Sequence, residues 1–318
     1  MTAPCDPPRP PLPKGGSKAP LRTIFTLAII LLGTPAAFAA DIYVDNRIGD
    51  DLYDGSSPQQ IDDRSGPVRT IGRALEKVQT RDIVHVANHG VPYVESLEIV
   101  GPRFGRFILD GNGAVVSGAR VVPFDAWQRL GNGVWRFTPR RKAFYQLVDH
   151  DQALPETPAP RDAQKLPELP EGHWCAWRGS IYYRVLSGPG GPSPQSEVPL
   201  AFAAEEVGIT LLDADDVVIR NLELRHFRLD GVNVHDRCQN ILLDNVRLIE
   251  NGRAGLAVGG ASLVGIKDSE LRGNRLTQVL NTEVAQTEIL DCKLGPAPGG
   301  LFQRKGGHVL IDGQDMKE

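Results

Sequence analysis

The 318-residue chain contains only four cysteines, and its charged residues show no excess of positive charge. Cys5 lies in the first forty residues, and no pair among the other three has the spacing of a zinc site. Without Cys5, three cysteines remain, and an odd number does not favour a framework of disulfide bonds. Lys and Arg total 35 against 39 Asp and Glu, so the net charge is −4 and the composition predicts no basic surface for nucleic acid.

The chain also lacks an apolar run long enough to span a membrane, which needs ~20 residues. A short apolar run, 24–32, follows three basic residues and precedes the small residues of Ala37–Ala39. This pattern is typical of a secretory signal. We therefore expect residues 1–40 to be cleaved, leaving no stable membrane anchor, and the mature protein to be secreted, periplasmic or on the cell envelope.

What the chain has instead is a repeat of about 23 residues, and its 34 glycines and 25 prolines do not favour a helical bundle. The repeat is marked by Ile219, Leu243, Ile266, Ile289 and Ile311, at spacings of 24, 23, 23 and 22 residues. Each copy follows a second short segment in which apolar and polar residues alternate, as in a strand with one buried face. Stacked turns of such strands, ~4.8 Å apart, predict a parallel β-helix.

A leucine-rich repeat is the alternative, because residues 243–251 fit its consensus and its period. The remainder of such a repeat requires a helical segment, whereas residues 252–260 contain four glycines and strand-like apolar residues. We therefore prefer the β-helix. Asn221, Asn245, Asp268 and Asp291 fall in register between the copies, and we expect them to form a structural column at a bend.

The N-terminal part looks like the cap that a solenoid needs at its end. Residues 67–78 have helical apolar spacing, with Ser65 and Pro67 as expected start signals. We assign residues 41–117 to this cap and the first coils, and residues 201–318 to the repeated coils.

Residues 118–200 interrupt the repeat and hold all four tryptophans. Arg178-Gly179 is expected to turn a hairpin between Trp174–Trp177 and 181–185. We expect a small inserted β module, whose aromatic residues form a core; stacking of these rings on sugars is the alternative.

Four segments carry a resemblance to a known family: 42–45, 49–55, 66–75 and 82–86, which read IYVD, GDDLYDG, GPVRTIGRAL and DIVHV. Together with the repeats, they resemble secreted right-handed parallel β-helix proteins of the pectate-lyase-like superfamily. This superfamily includes polysaccharide lyases, glycosidases, uronate epimerases and non-catalytic surface proteins. The resemblance implies an all-β, right-handed parallel β-helix with an N-terminal capping helix and the inserted module.

The polar cluster at residues 230–236 is the candidate site. If Val232 and Val234 point inward, Asn233 and His235 point outward. Stacking would bring further polar residues of the following coils to the same face. The predicted catalytic residues are His235, Asp236 and Glu283, and the predicted substrate-binding residues are Asp230, Asn233, Arg304 and Lys305.

The roles follow from the chemistry of these side chains. His235 is a base near neutral pH, Asp236 would orient it or act as an acid, and Arg304 or Lys305 would bind a sugar carboxylate. The stretch 231–236 also resembles the Tyr-Gly-x-Asp-Pro-His-Asp motif of mannuronan C5-epimerases. His235 and Asp236 match this motif, whereas Asp230, Asn233 and Val234 replace its Tyr, first Asp and Pro.

The leading hypothesis is therefore an exported protein that acts on a polysaccharide, as a lyase or epimerase that abstracts a proton from uronic acid residues. The alternatives are a non-catalytic glycan-binding or envelope surface protein, or a glycoside hydrolase that uses Asp236 and Glu283 as paired carboxylates. No metal or other cofactor is predicted. Clustered Asp50, Asp51 and Asp54 are compatible with Ca²⁺, but we expect a solvated turn there.

Overall fold

The computed structural model describes residues 39–186, 194 and 199–316, so nearly all of the expected signal segment lies outside the described residues. The described residues contain one α-helix, α1 (Ile71–Lys77), and 24 strands. The strands are, in chain order, β1 (Asp41–Val44), β2 (Ile83–Val86), β3 (Leu97–Val100), β4 (Ile108–Ser117), β5 (Ala119–Val121), β6 (Trp127–Gly131), β7 (Val134–Phe137), β8 (Leu147–Asp149), β9 (Gln152–Ala153), β10 (Trp174–Trp177), β11 (Ser180–Arg184), β12 (Ala201–Ala203), β13 (Ile209–Leu212), β14 (Val218–Arg225), β15 (Val232–His235), β16 (Ile241–Asp244), β17 (Arg247–Ile249), β18 (Ala254–Val258), β19 (Leu263–Lys267), β20 (Glu270–Arg272), β21 (Thr277–Leu290), β22 (Lys293–Leu294), β23 (Phe302–Ile311) and β24 (Gln314–Asp315).

Fifteen of these strands wind into a parallel β-solenoid of about nine turns, and β24 adds to its last strand in the antiparallel direction. The first face consists of β1, β2, the start of β4, the start of β14, β16, β19 and the ends of β21 and β23. The second face consists of the ends of β4 and β14, followed by β17, β20 and β22. The third face consists of β3, β13, β15, β18 and the starts of β21 and β23. The chain is thus an all-β protein, and its fold is the expected parallel β-helix.

The repeat places its apolar residues in one internal column, as predicted. Ile219 pairs with Leu243, Leu243 with Ile266, Ile266 with Ile289, and Ile289 with Ile311. The first four of these side chains are at most 1% exposed. The segment that a leucine-rich repeat would use for a helix is strand β18, so that alternative is wrong.

The predicted Asn and Asp column lies at the bend between the first and second faces. Asn221, Asn245, Asp268 and Asp291 all have φ between 50° and 54°, the left-handed region that Asn and Asp adopt at the lowest cost among residues with a Cβ. The Asn245 amide donates a hydrogen bond to Asn221 Oδ1 at 2.8 Å. These residues turn the chain from one face to the next, and the predicted structural role is confirmed.

Helix α1 lies against β1, β2 and β3 at the N-terminal end of the solenoid. It begins later than predicted, because Thr70 is the N-cap and accepts a hydrogen bond from Arg73 N at 3.2 Å. The expected start at Ser65 and Pro67 is wrong, since Val68 is still extended and forms a bridge with Val44. The apolar face of the helix covers the end of the core, with Ile71 fully buried.

Strands β5 to β12 form two antiparallel sheets, in the orders β10-β11-β7-β6 and β5-β12-β8-β9. The predicted hairpin is confirmed, with Trp174 opposite Tyr183 and both Arg178 and Gly179 at positive φ. A single buried cluster holds most of the aromatic residues, as the core interpretation requires, and includes Trp127, Trp135, Phe137, Trp174 and Tyr183.

The solenoid holds this inserted module through Arg275. Its guanidinium donates to Tyr145 O and to the Glu156 carboxylate, and lies 5.5 Å from the centroid of the Trp174 ring. A planar guanidinium suits such combined pairing and stacking. The module is therefore attached next to the coils that carry the candidate site.

Candidate functional site

The predicted orientation of β15 on the third face is confirmed. Val232 and Val234 are fully buried, whereas Asn233 is half-buried and the His235 side chain is 40% exposed. This alternation follows from the two-residue period of a strand. It places the His235 imidazole on the outer surface of the solenoid.

A close approach of three side chains to Gly259, which we call the Gly259 notch, lies next to His235 on the following coils. A Cβ at Gly259 would lie 3.8 Å from His235 Cβ, 3.8 Å from Glu283 Oε2 and 2.9 Å from Thr282 Oγ1. Gly259 is itself buried, so Thr282 packs over its bare backbone. The Glu283 carboxylate and the Cβ of His235 lie beside this contact.

The carboxylates of the site project from a tight corner between the third and first faces. Asp236, Gly260 and Glu283 occupy this corner on successive coils, with φ of 65°, 65° and 58°. The Gly260 amide donates a short hydrogen bond to Glu283 Oε2. Left-handed backbone at a glutamate is unusual, and such conformations occur disproportionately at functional sites.

His235 and Asp236 also contact each other directly. Their Nδ1 and Oδ1 atoms are 3.4 Å apart, and both side chains are largely exposed. If Nδ1 faces the carboxylate, Nε2 is the nitrogen left to accept a proton from a ligand. Lys305 pairs in register with Thr282 and belongs to the same outward column as His235, three coils away and roughly 14 Å between backbones at ~4.8 Å per coil.

Asp230 does not lie at this surface. Its side chain is fully buried, where Arg253 Nε donates to Oδ1 at 2.9 Å and Arg253 Nη2 to Oδ2 at 2.5 Å. Burial raises the pKa of the Asp230 carboxyl, and the paired guanidinium works in the opposite direction. Asp230 also accepts from Asn233 Nδ2 at 3.4 Å, so it supports the site from beneath and is not itself exposed to a ligand.

Arg304 is also separated from the notch. It pairs in register with the buried Asn281, so it alternates with Lys305 and belongs to the inward column. Its guanidinium donates to Met316 O at 2.9 Å and lies 3.5 Å from Asp315 Oδ1. Arg304 thus holds the final hairpin, β23–β24, against the last coil.

The structure therefore places His235, Asp236, Glu283 and Lys305 on one outward face over four successive coils, with Asn233 at the border. What sequence reasoning missed is the left-handed corner, whose signal was the Gly259-Gly260 pair one coil after His235-Asp236. It also missed that outward-facing Ala257 and Leu280 are buried, so that a ligand reaches β18 and β21 at the corner side of this face.

No group of His, Cys, Asp and Glu in residues 39–186, 194 and 199–316 is arranged to hold a metal ion. The carboxylates considered for Ca²⁺ instead accept backbone hydrogen bonds, with Asp51 Oδ1 at 2.9 Å from both Arg69 N and Thr70 N. Over the same described ranges, no helix has the length and apolar character to cross a membrane.

Comparison with known proteins supports the fold. No protein-family model matches the sequence, and neither does any curated protein. Among solved structures, a chain described as a glycoside hydrolase is similar with a TM-score of 0.58 and 12% identity, over 82% of this chain and 74% of that one. A complex of XylC with xylose is similar with a TM-score of 0.42 and 11% identity, over 85% of this chain and 69% of that one. At 12% identity, the similarity to the first of these structures shows a shared fold and nothing more specific.

Proposed function

We propose that this chain acts on carbohydrate at the Gly259 notch, and that it is an exported lyase or epimerase that abstracts the C5 proton of a uronic acid in an acidic polysaccharide. The observation that carries the proposal is that His235 and Glu283 lie beside the same glycine, since His235 Cβ and Glu283 Oε2 are each 3.8 Å from the position that a Gly259 Cβ would take. A base and an acid close to one sugar carbon is the arrangement that such chemistry needs.

In this mechanism His235 Nε2 takes the C5 proton, while Asp236 stabilises the resulting imidazolium. Lys305 binds the sugar carboxylate and stabilises the charge that develops on it. In a lyase, the electron pair of the C5–H bond forms a C4–C5 double bond, the C4–O bond breaks, and the leaving oxygen takes a proton from Glu283 or water. In an epimerase, Glu283 returns a proton to the opposite side of C5.

The experiment is incubation of the protein with a panel of uronic acid polymers. Absorbance of an unsaturated uronate reports a lyase, and exchange of the C5 proton for deuterium, followed by NMR, reports an epimerase. His235→Ala is expected to lower the rate by about 10²–10⁴-fold, the usual contribution of a general base.

His308→Gln is the matched control, because His308 is another exposed histidine paired with a carboxylate, at 3.1 Å from Asp315, but on the first face. This variant should retain the wild-type rate. Absence of both signals in the wild type, or equal loss in the two variants, would refute the proposal. Glycan binding without turnover that survives in His235→Ala would favour a non-catalytic binding protein.

Hydrolysis is the second candidate, favoured by the corner column and by the fold shared with a glycoside hydrolase. Asp236 and Glu283 lie two coils apart, roughly 10 Å between backbones at ~4.8 Å per coil. The Glu283 side chain reaches back to Gly260 N, which shortens the separation of the carboxyl groups. Inverting glycosidases hold theirs about 6.5–9.5 Å apart. Release of reducing ends without unsaturated products, abolished in both Asp236→Asn and Glu283→Gln, would identify this reaction.

A further inference from the structure

A groove of about 280 Å³ lies on the first face, over the first coils of the solenoid. It is separate from the Gly259 notch, which is on the third face. Tyr43, His85 and Asp110 stand next to one another in register on successive coils and line its floor. Pro58 and Pro67 also line it and contribute apolar surface.

The aromatic part of the groove is held in place by contacts within the protein. The Tyr43 and His85 rings are stacked, with centroids 5.2 Å apart and an interplanar angle of 21°. Asp41 Oδ1 lies 2.8 Å from His85 Nε2 and fixes the orientation of the imidazole. Because each ring covers one face of the other, the pair offers its remaining faces and its edges to a ligand. With the apolar border, these suit the C–H side of a sugar ring.

Polar groups at the groove remain available for hydroxyl groups of a ligand. Asn112 follows a tight turn with φ of 49°, and its backbone N–H and C=O are bonded to Asp110 and Asn88. Within the described part of the chain, its side-chain amide and the Tyr43 hydroxyl make no hydrogen bond. An amide and a phenol supply both donors and acceptors, as sugar hydroxyls require.

The charges of the groove disfavour an anion. Burial works to raise the pKa of Asp110, but hydrogen bonds from Asn221, Asn112 and Arg220 outweigh it and hold this pKa below its ordinary value. The Arg220 guanidinium is engaged with that carboxylate at 2.8 Å. Asp45 also lines the groove and lies 2.7 Å from His89 Nε2, so both carboxylates already have partners and no free cation remains among the described lining residues. A ligand with its own carboxylate would find no cationic partner here.

We infer that this groove on the first face is a second carbohydrate site, which takes one uncharged sugar ring on the Tyr43–His85 surface. It recognises a chemistry different from that proposed for the notch, whose ligand carries a carboxylate. The site does not depend on the proposed reaction, because it shares no residue with it.

The test measures binding of methyl glycosides of glucose, mannose, galactose and xylose by saturation-transfer NMR and calorimetry, with methyl glucuronide as the charged comparison. Two variants change the groove. Asn112→Gly removes the amide at a backbone conformation that glycine adopts freely, and Ala87→Leu adds bulk at the groove. Each is expected to weaken binding of a neutral glycoside by about tenfold or more, because Asn112→Gly removes a hydrogen bond to the sugar and Ala87→Leu takes up space in the groove.

Asn132→Gly is the matched control, because Asn132-Gly133 forms the same left-handed pair as Asn112-Gly113 but lies in the inserted module. This control and His235→Ala should bind as the wild type does, with unchanged melting temperatures for all variants. No binding of any neutral glycoside, tighter binding of the glucuronide, or binding unaffected by both groove variants would overturn the inference. Loss of binding in His235→Ala would also overturn it, since the sugar would then occupy the notch.

Discussion

Replacement of Asp230 by asparagine separates a structural role of this residue from a role in binding. The carboxylate is fully buried and receives four hydrogen bonds, two from Arg253, one from Ala254 N at 3.2 Å and one from Asn233 Nδ2 at 3.4 Å. Asparagine has nearly the same shape but no charge, so the Arg253 guanidinium would lose its partner inside the fold.

Breaking one partner of a buried ion pair costs about 3–5 kcal/mol. The Arg253 side chain is 27% exposed and keeps partial access to water, so we expect a loss at the lower end, about 3 kcal/mol. Urea unfolding followed by far-UV circular dichroism measures this loss in the free energy of unfolding. Glycan binding by the folded variant should be unchanged.

The double variant Asp230→Asn/Arg253→Met removes both charges. It should recover much of the loss, since an apolar replacement of a buried pair is often neutral or stabilising. If Asp230→Asn has unchanged stability but loses glycan binding, the reasoning is refuted and Asp230 is a ligand-binding residue.

Three further perturbations test other parts of the account. Gly260→Ala should lower the free energy of unfolding by about 1–3 kcal/mol, because residue 260 has φ of +65° and its new Cβ would lie 2.3 Å from Asp236 O. Scanning calorimetry measures this loss as a lower melting temperature. Ile266→Ala should cost about 2–5 kcal/mol in urea unfolding, whereas Ile266→Val should cost about 0.5–1.5 kcal/mol, because this side chain is fully buried in the internal column. The hydrogen bond from His226 holds the pKa of Glu250 below its ordinary value of 4.5, so its contribution to stability is present above pH 4.5 and is lost as the pH falls through the lowered pKa. Glu250→Gln should flatten that part of the stability–pH curve, and an unchanged curve would contradict the assignment.

The fold was predictable because one physical constraint repeats along the chain. Each coil must bury two or three short strands against its neighbours, so apolar residues recur at the spacing of Ile219, Leu243 and Ile266. The bend at Asn221 and Asn245 was predictable for a similar reason, since few residue types adopt its backbone conformation.

The site was only partly predictable, because the repeat determines which coil a residue occupies but not which way its side chain points. Arg304 and Lys305 are adjacent in sequence, and the two-residue period of the strand directs them to opposite sides. Asp230 precedes β15, where alternation gives no guidance, and its burial depends on Arg253 from the next coil. The groove at Tyr43 was not recognised, since its members come from separate coils and share no motif.

The central claim is that a sugar lies over the Gly259 notch, next to His235 and Glu283. The rate of turnover of a uronic acid polymer by Gly259→Ala, relative to the wild type, tests it most directly, because a methyl group 2.9 Å from Thr282 Oγ1 would displace Thr282 at the notch, whereas His235 Cβ and Glu283 Oε2 at 3.8 Å stay in ordinary contact. We expect a loss of at least about tenfold in the rate with a retained fold. A variant that folds and turns over at the wild-type rate would contradict it.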